Sequence, residues 1–487
     1  MLKQKFEPTF DSLRNFKCPD WFRDAKFGIW SHWGPQSVPM YGDWYARNMY
    51  IEGSDQYRYH VRRYGHPSKF GYKDIIKLWK AEKFDPYGLM DLYHKAGARY
   101  FIAQAMHHDH FFNFPSSYNR FNSTKIGPMK DICGMWKSAA DNMKMNFGLT
   151  EHLGATFSWW AVNKGADKYG PYAGIPYDGN DPEYKDFYLE NNEYITLNTT
   201  EKLVEMWYAR NKKFHEYWLN VIKELIDMYK PDMLYTDGGV PFGLREDKPG
   251  DDWYYPGLEA VAYLYNTSAA NYGENQAVYT HKDRRPEIYG IGVLDIEKSQ
   301  LPGIMPHPWQ TDTCIGNWFY DVRQAFKHPG HIIEMLIDII SKNGTMLLNV
   351  LQLPDGSIDD ETRFVLEELA GWFHTCGEAV YGTRPWRING EGMSGVKIEG
   401  FVEEAVNWTS SDFRFVSKGK KLYAFIMRAP ENRVTVIKSL KPDEYVKSVR
   451  ILGGGQLGFG QHFGALVVHL PEELPSSYTN CLEIILQ

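Results

Sequence analysis

Four clusters of side chains able to move protons or bind hydroxyls recur along the chain, each directly after a short apolar run. They are Ser31-His32-Trp33-Gly34, His107-His108-Asp109-His110, Glu151-His152 and Asp237-Gly238-Gly239. A single histidine after an apolar run reads as a satisfied core residue, whereas four clusters of this kind read as one site assembled from several elements. Two reaction classes use a ring of His, Asp and Glu. Metal-assisted hydrolysis wants a His-x-His pair on one strand and further ligands at fixed strand ends. Here the first cluster offers only His32, and adjacent His107 and His108 point to opposite sides of a regular strand, so no clean coordination set emerges. Glycoside hydrolysis instead needs two carboxylates, with hydrogen-bonding partners for the sugar hydroxyls.

The elements that would position these clusters are short strands alternating with longer helical stretches, the pattern of βα units around a parallel sheet. Strands are expected at Lys26–Ser31, Tyr100–Met106, Asn146–Thr150, Asp232–Thr236, Ala277–Thr280, Ile288–Asp295, Trp309–Asp312 and Thr345–Val350. Eight strands are the count of a (β/α)8 TIM barrel, whose active site lies at the C-terminal ends of its strands. Apolar spacing of three to four predicts one continuous helix over Glu201–Lys230, stopped by Pro231, and a last helix over Asp360–His374. The polar stretch Asn163–Thr200 reads as a loop at the barrel mouth. After about Pro385, short alternating segments such as KLYAFIM and ALVVHL between Gly, Pro and Asn turns read as an antiparallel β domain. The expected division is a barrel over 1–385 and a β domain over 386–487.

Bulk properties exclude several classes. The net charge of −7 gives no basic field to hold nucleic acid. No apolar run reaches the roughly 18 residues of a membrane span. The five cysteines are scattered and odd in number, with no C-x-x-C pair, which argues against a structural zinc site or a disulfide scaffold. The start MLKQKFEPTF does not read as a signal peptide, so the expected location is cytoplasmic, or periplasmic or secreted where a signal has been removed. Aromatic residues make up 16% of the chain, a surplus that suits either a large core or the stacking walls of a sugar cleft.

The same residues carry a resemblance. KFGIWSHWGPQSVPMYGDWYARNMY (Lys26–Tyr50), HHDHFFNF (His107–Phe114), LYTDGG (Leu234–Gly239), PWQTDTCIG (Pro308–Gly316), NGTMLLNVLQLPDGSI (Asn343–Ile358) and GEAVYGTRPW (Gly377–Trp386), in this order, resemble glycoside hydrolase family 29, the α-L-fucosidases. The resemblance implies a barrel followed by a C-terminal β-sandwich, a retaining mechanism on an oligosaccharide substrate, and no required metal or cofactor. It implies that Asp237 is the nucleophile, because Tyr235-Thr236-Asp237-Gly238 matches the family's W-S-D-G motif. The resemblance further implies an acid/base roughly a dozen residues before the Pro308-Trp309 motif, which lands on Glu297, with Asp295, Glu287 and Glu274 as competitors. His32, His107 and His108 match the family's hydroxyl-binding histidines, Asp43-Trp44 its pocket-lining E-W pair, and Trp318-Phe319 the aromatic position facing the fucose methyl. His152, Tyr235 and Trp318 complete the expected substrate-binding set. Departures are Tyr235 for the usual Trp, His110 where Gly is common, Asp43 as the shorter acid, and Glu151-His152 ending the third strand. These leave α-L-galactose open as an alternative sugar, and a glycan-binding barrel without catalysis as an alternative class. The oligomeric state is not defined by the sequence.

Overall fold

The eight apolar runs behave as their alternation demands. In the computed structural model, which describes residues 5–396 and 403–487, they close into a parallel barrel in sequential order. The strands are β1 Phe27–Ser31, β2 Tyr100–Gln104, β3 Asn146–Glu151, β4 Met233–Thr236, β5 Val278–His281, β6 Val293–Asp295, β7 Trp309–Cys314 and β8 Gly344–Asn349. The barrel shuts where β1 pairs with β8, from Phe27 opposite Met346 to Trp30 opposite Asn349. Alternate residues face opposite sides. Trp30, Ile102, Met233, Tyr235, Val278, Val293 and Leu347 fill the interior, while Ile29, Phe101, Leu149, Leu234 and Leu348 pack outward against the helices. Gly28 must be glycine, since a Cβ there would sit 2.3 Å from the Tyr100 ring. That ring crosses the barrel and donates its hydroxyl to Gln310 Oε1 at 2.9 Å.

Two expectations need correction. The run Glu201–Lys230 is not one helix but two, Thr200–Glu205 and Lys212–Tyr229, separated by an irregular segment. Asn211 caps the second helix by accepting from the Phe214 amide at 3.2 Å, which starts a new helix inside the apolar periodicity. The sixth strand is shorter than expected, because Pro286–Tyr289 form a helical turn before β6. The stretch Asn163–Thr200 contributes only short helical turns on the β3-to-β4 connection.

Among the described residues, eight further strands follow the last barrel helix, Asp360–Cys376. They are β9 Arg384–Glu391, β10 Phe413–Lys418, β11 Lys421–Ile426, β12 Val434–Ile437, β13 Val446–Ile451, β14 Phe459–His462, β15 Ala465–His469 and β16 Asn480–Leu486. They form a five-stranded antiparallel sheet, β13-β16-β11-β10-β9, and a three-stranded one, β12-β15-β14. Phe413, Phe415, Leu422, Ala424 and Ile426 of the larger sheet meet Ile437, Leu466 and Val468 of the smaller in one sandwich core. The opposite face of the larger sheet, with Val416, Tyr423 and Phe425, joins the apolar cluster of the barrel. Residues 1–4 of the expected barrel span and 397–402 of the expected β span lie outside the described residues.

Candidate active site

Every strand-end cluster delivers side chains to the same face of the barrel. A cavity of about 1020 Å³ opens there, lined among others by His32, Asp43, Trp44, His107, His152, Trp207, Tyr235, Asp237, Lys282, Glu297, Asp312 and Trp318. Nine of the ten residues expected to act or bind are thus gathered. The tenth, His108, stands behind Asp237, its Nε2 3.3 Å from Asp237 Oδ2: within ion-pair distance but outside hydrogen-bonding geometry. Its Nδ1 donates to the His152 carbonyl at 2.5 Å.

Asp237 follows β4 on a sharply turned backbone. Gly238 has φ of 130°, and a Cβ there would meet Tyr208 Oη at 2.7 Å and Trp207 Nε1 at 2.9 Å. The same two side chains brace the turn, Trp207 Nε1 donating to the Asp237 carbonyl at 3.2 Å and Tyr208 Oη to the Gly239 carbonyl at 2.9 Å. The break in the predicted helix is therefore what brings Trp207 and Tyr208 to the site. Periodicity absorbed both residues into a helix face, and Asn211 was the one signal of the interruption.

Lys282, immediately after β5, links the site together. Its ammonium donates to Asp237 Oδ1 at 2.8 Å and also to Glu297 Oε2, and it lies 3.7 Å from Asp312 Oδ2. The two carboxylate oxygens that share it are therefore held side by side. Burial opposes ionisation of Asp237, yet the charge on Lys282 and the neighbouring imidazoles outweigh it and hold that carboxyl well below the usual range. At Glu297 burial and the charges of Asp312 and Asp237 outweigh the pull of Lys282, and the carboxyl is raised. One carboxyl is thus biased toward its ionised form and the other toward its protonated form, the asymmetry that separates a nucleophile from an acid. The sequence reading passed over Lys282, although it stands at a strand end like the residues it did single out.

The competing acids are placed elsewhere. Asp295 is buried beneath the cavity, accepting from Gln310 Nε2 at 2.7 Å. Glu287 and Glu274 are exposed and do not line the cavity. Tyr235 spans the floor, donating to Asp312 Oδ2 at 2.8 Å.

Three imidazoles form the opposite wall. The rings of His32, His107 and His152 pack with centroids 4.6 to 5.2 Å apart. Burial, with mutual repulsion among the imidazoles, depresses His32 and His107 well below the usual range; burial depresses His152 to about 3. All three are therefore neutral near pH 7, and a neutral imidazole both donates and accepts. Gln36 fixes one of them: its Oε1 accepts from the Ala46 amide, so its Nε2 donates to His107 Nδ1 at 2.8 Å. That leaves the His107 proton on Nε2. The ligand atoms of this trio lie within 4.8 Å of one another, a grouping the sequence did not announce, but with Nδ1 accepting from Gln36 and the proton on Nε2, His107 offers a cation no lone pair unless that hydrogen bond is given up.

Beside them sit Asp43, raised to about 7 chiefly by burial, and Trp44, whose φ of 57° is left-handed. Trp30 and Trp318, centroids 5.3 Å apart, add an apolar patch. His110 and Glu151 are structural instead. His110 holds a left-handed φ of 58°, the conformation glycine suits, and bonds the Phe187 carbonyl and Tyr217 Oη at 2.8 Å each. Glu151 accepts from Trp218 Nε1 at 2.9 Å beneath the cavity.

Two carboxyls biased toward opposite protonation states, facing neutral imidazoles and tryptophan rings at the mouth of a (β/α)8 barrel, suit cleavage of a glycosidic bond, and the class is that of the barrel glycoside hydrolases. Residues 1–378 match the family model described as Alpha-L-fucosidase, and the chain belongs to that family. It is 26% identical to the tissue alpha-L-fucosidase of Rattus norvegicus over 483 residues, 97% of this chain and 90% of that protein. Among solved structures it is similar to Thermotoga maritima alpha-fucosidase in complex with a mechanism-based inhibitor, at 26% identity and a TM-score of 0.74. The same Thermotoga maritima enzyme in complex with fucose matches with a TM-score of 0.73; both matches cover 99% of this chain and 100% of the other.

Proposed function

We propose that this enzyme removes terminal α-L-fucosyl residues from oligosaccharides by a retaining double displacement. The observation that carries the reading is the shared ammonium. Contacts of 2.8 and 2.5 Å from Lys282 Nζ cap the separation of the two bound carboxylate oxygens at about 5.3 Å. Retaining glycosidases hold their carboxyls about 5–5.5 Å apart, and inverting ones about 6.5–9.5 Å. Fucose is the sugar in the names of the relatives, and the Trp30–Trp318 patch offers its C5 methyl an apolar seat.

In this reading Asp237 attacks the anomeric carbon as the glycosidic C–O bond breaks, and the proton on Glu297 goes to the departing oxygen. A glycosyl ester results. Its formation removes the negative charge of Asp237, so Lys282 then acts on Glu297 and Asp312 alone. Glu297 loses a repelling neighbour, which favours the ionised form that must accept a proton from water in the second step. That water attacks the anomeric carbon, the ester bond breaks, and α-fucose leaves with Asp237 restored as a carboxylate. The imidazoles of His32, His107 and His152 bind the ring hydroxyls, His108 backs Asp237, and Asp43 and Trp44 close the pocket.

The test is hydrolysis of an aryl α-L-fucoside by protein dialysed against a strong chelator, with the product anomers followed by NMR. The expected outcome is undiminished turnover with the α anomer released first. First release of the β anomer would exclude double displacement. Activity lost with chelator and recovered with zinc would assign the histidine trio to a metal.

A further inference from the structure

We infer that the leaving-group side of the cleft is built to receive an acidic saccharide, one carrying a sulfate ester or a carboxylate beside the fucosyl bond. This rests on the activity proposed above and concerns the part of the same cavity that a single sugar ring leaves empty. At about 1020 Å³ the cavity reaches the upper end of the range for pockets that enclose ligands several times larger than a monosaccharide.

Its wall carries four cationic side chains and five acids, yet two of the cationic groups are left without an acid partner. Lys282 is taken by Asp237 and Glu297, and Arg285 by both oxygens of Asp283. Arg245 and Arg284 also line the cavity, and both are exposed. Among the described residues neither guanidinium has a hydrogen bond or an ion pair, and the neighbouring acid Glu246 does not line the cavity.

The two arginines stand on backbones that are clamped together. Arg285, next to Arg284, donates through Nη1 to the carbonyls of Arg245 at 3.3 Å and Asp247 at 3.1 Å. Its Nη2 donates to Tyr254 Oη at 2.7 Å. Arg284 lies two residues beyond Lys282, which touches Glu297, the group that protonates the departing oxygen. The two unpaired guanidinium forks therefore line the same cavity as Glu297, on segments tied to each other and, through Lys282, to the acid. Such forks match sulfate and carboxylate oxygens bidentately, and two guanidinium groups with no acid partner leave charge available for an anionic group on the substrate.

The experiment compares kcat/KM of the full-length enzyme on three disaccharides that share one linkage: α-L-fucosyl-galactose, its galactose 6-sulfate and its galacturonate counterpart. An aryl α-L-fucoside serves as reference, and each is measured at low and high salt. The expected result is a gain of about tenfold for at least one acidic substrate at low salt, shrinking as salt rises. The arm with the larger gain tells sulfate from carboxylate. In R245E/R284E the ratio of acidic to neutral rates should invert, while R245K/R284K should keep most of it. Cleavage of the aryl fucoside with no gain on either acidic substrate overturns this inference alone, as does a gain that survives R245E/R284E. No cleavage of any fucoside overturns the activity itself, and this inference with it.

Discussion

Asp237, Glu297 and Lys282 form one electrostatic unit, so their variants should fail in different ways. D237G removes the proposed nucleophile and should cut turnover by about 10⁴-fold or more while leaving the fold intact. Azide entering the vacated space should restore activity and yield β-L-fucosyl azide; normal rates in this variant would sink the assignment. E297A should slow natural disaccharides severely and activated aryl fucosides far less, because a good leaving group needs little protonation. Glycosyl-enzyme should then accumulate, and azide, which needs no deprotonation, should speed its turnover. Equal, slight losses on both substrate types would move the acid/base elsewhere. K282M should shift the pH profile of kcat/KM. Lys282 lowers both carboxyls, so its loss raises both. The acid limb, which needs Asp237 ionised, moves to higher pH, and the alkaline limb, which needs Glu297 protonated, moves the same way. The optimum rate should fall about 100-fold, and K282R should recover most of it. A loss of rate with an unmoved profile would make Lys282 merely structural. The histidines at this site were legible from residue type and strand-end position alone. Asp237 and Glu297 became legible as a pair only through ordered motifs, because nothing in their spacing announces that they meet.

At the scale of elements, the barrel strands were legible because each is a short apolar run ending in polar residues. β6 was blurred because Pro286 starts a helical turn inside the apolar stretch. The interruption between the two helices of Thr200–Tyr229 was not legible. Trp207 and Tyr208 continue the apolar spacing, but in the structure they turn toward the Asp237–Gly239 turn. That brace predicts the effect of G238A. The substitution places a Cβ at a φ of 130° and within 3 Å of both bracing side chains. Strain of this kind costs about 1–3 kcal/mol, and it falls on the turn carrying Asp237. Activity should drop at least tenfold with circular dichroism unchanged, and crystallography should find the Asp237 turn displaced. Wild-type kcat in G238A would show that the brace does not position the carboxylate.

Over the whole molecule, the larger C-terminal sheet is a wall between two cores, since successive residues of β10 and β11 alternate between the sandwich and the barrel cluster. Arg414 of β10 lies on the barrel face. Its Nε donates to Asp338 on the barrel helix Pro329–Ser341, and Lys342 bonds the other oxygen of the same carboxylate. Asp338 is fully buried, and Arg414 is 5% exposed. This contact was invisible in the sequence because an arginine in an alternating strand reads as a solvent-facing residue. Removing one partner of a buried ion pair leaves charge without compensation and costs about 3–5 kcal/mol, whereas replacing all partners with apolar groups is often neutral. R414M should therefore lower the guanidinium midpoint strongly. The triple variant R414M/D338L/K342M should recover most of the loss, because no unpaired charge remains. The cluster shared by barrel and sheet should also keep unfolding in one transition, followed by tryptophan fluorescence. The remaining native enzyme should hydrolyse the aryl fucoside at the wild-type rate, since none of the three residues lines the catalytic cavity. A loss below about 1 kcal/mol in R414M, or a triple variant weaker than the single one, would show that the ion network does not fasten the sheet to the barrel.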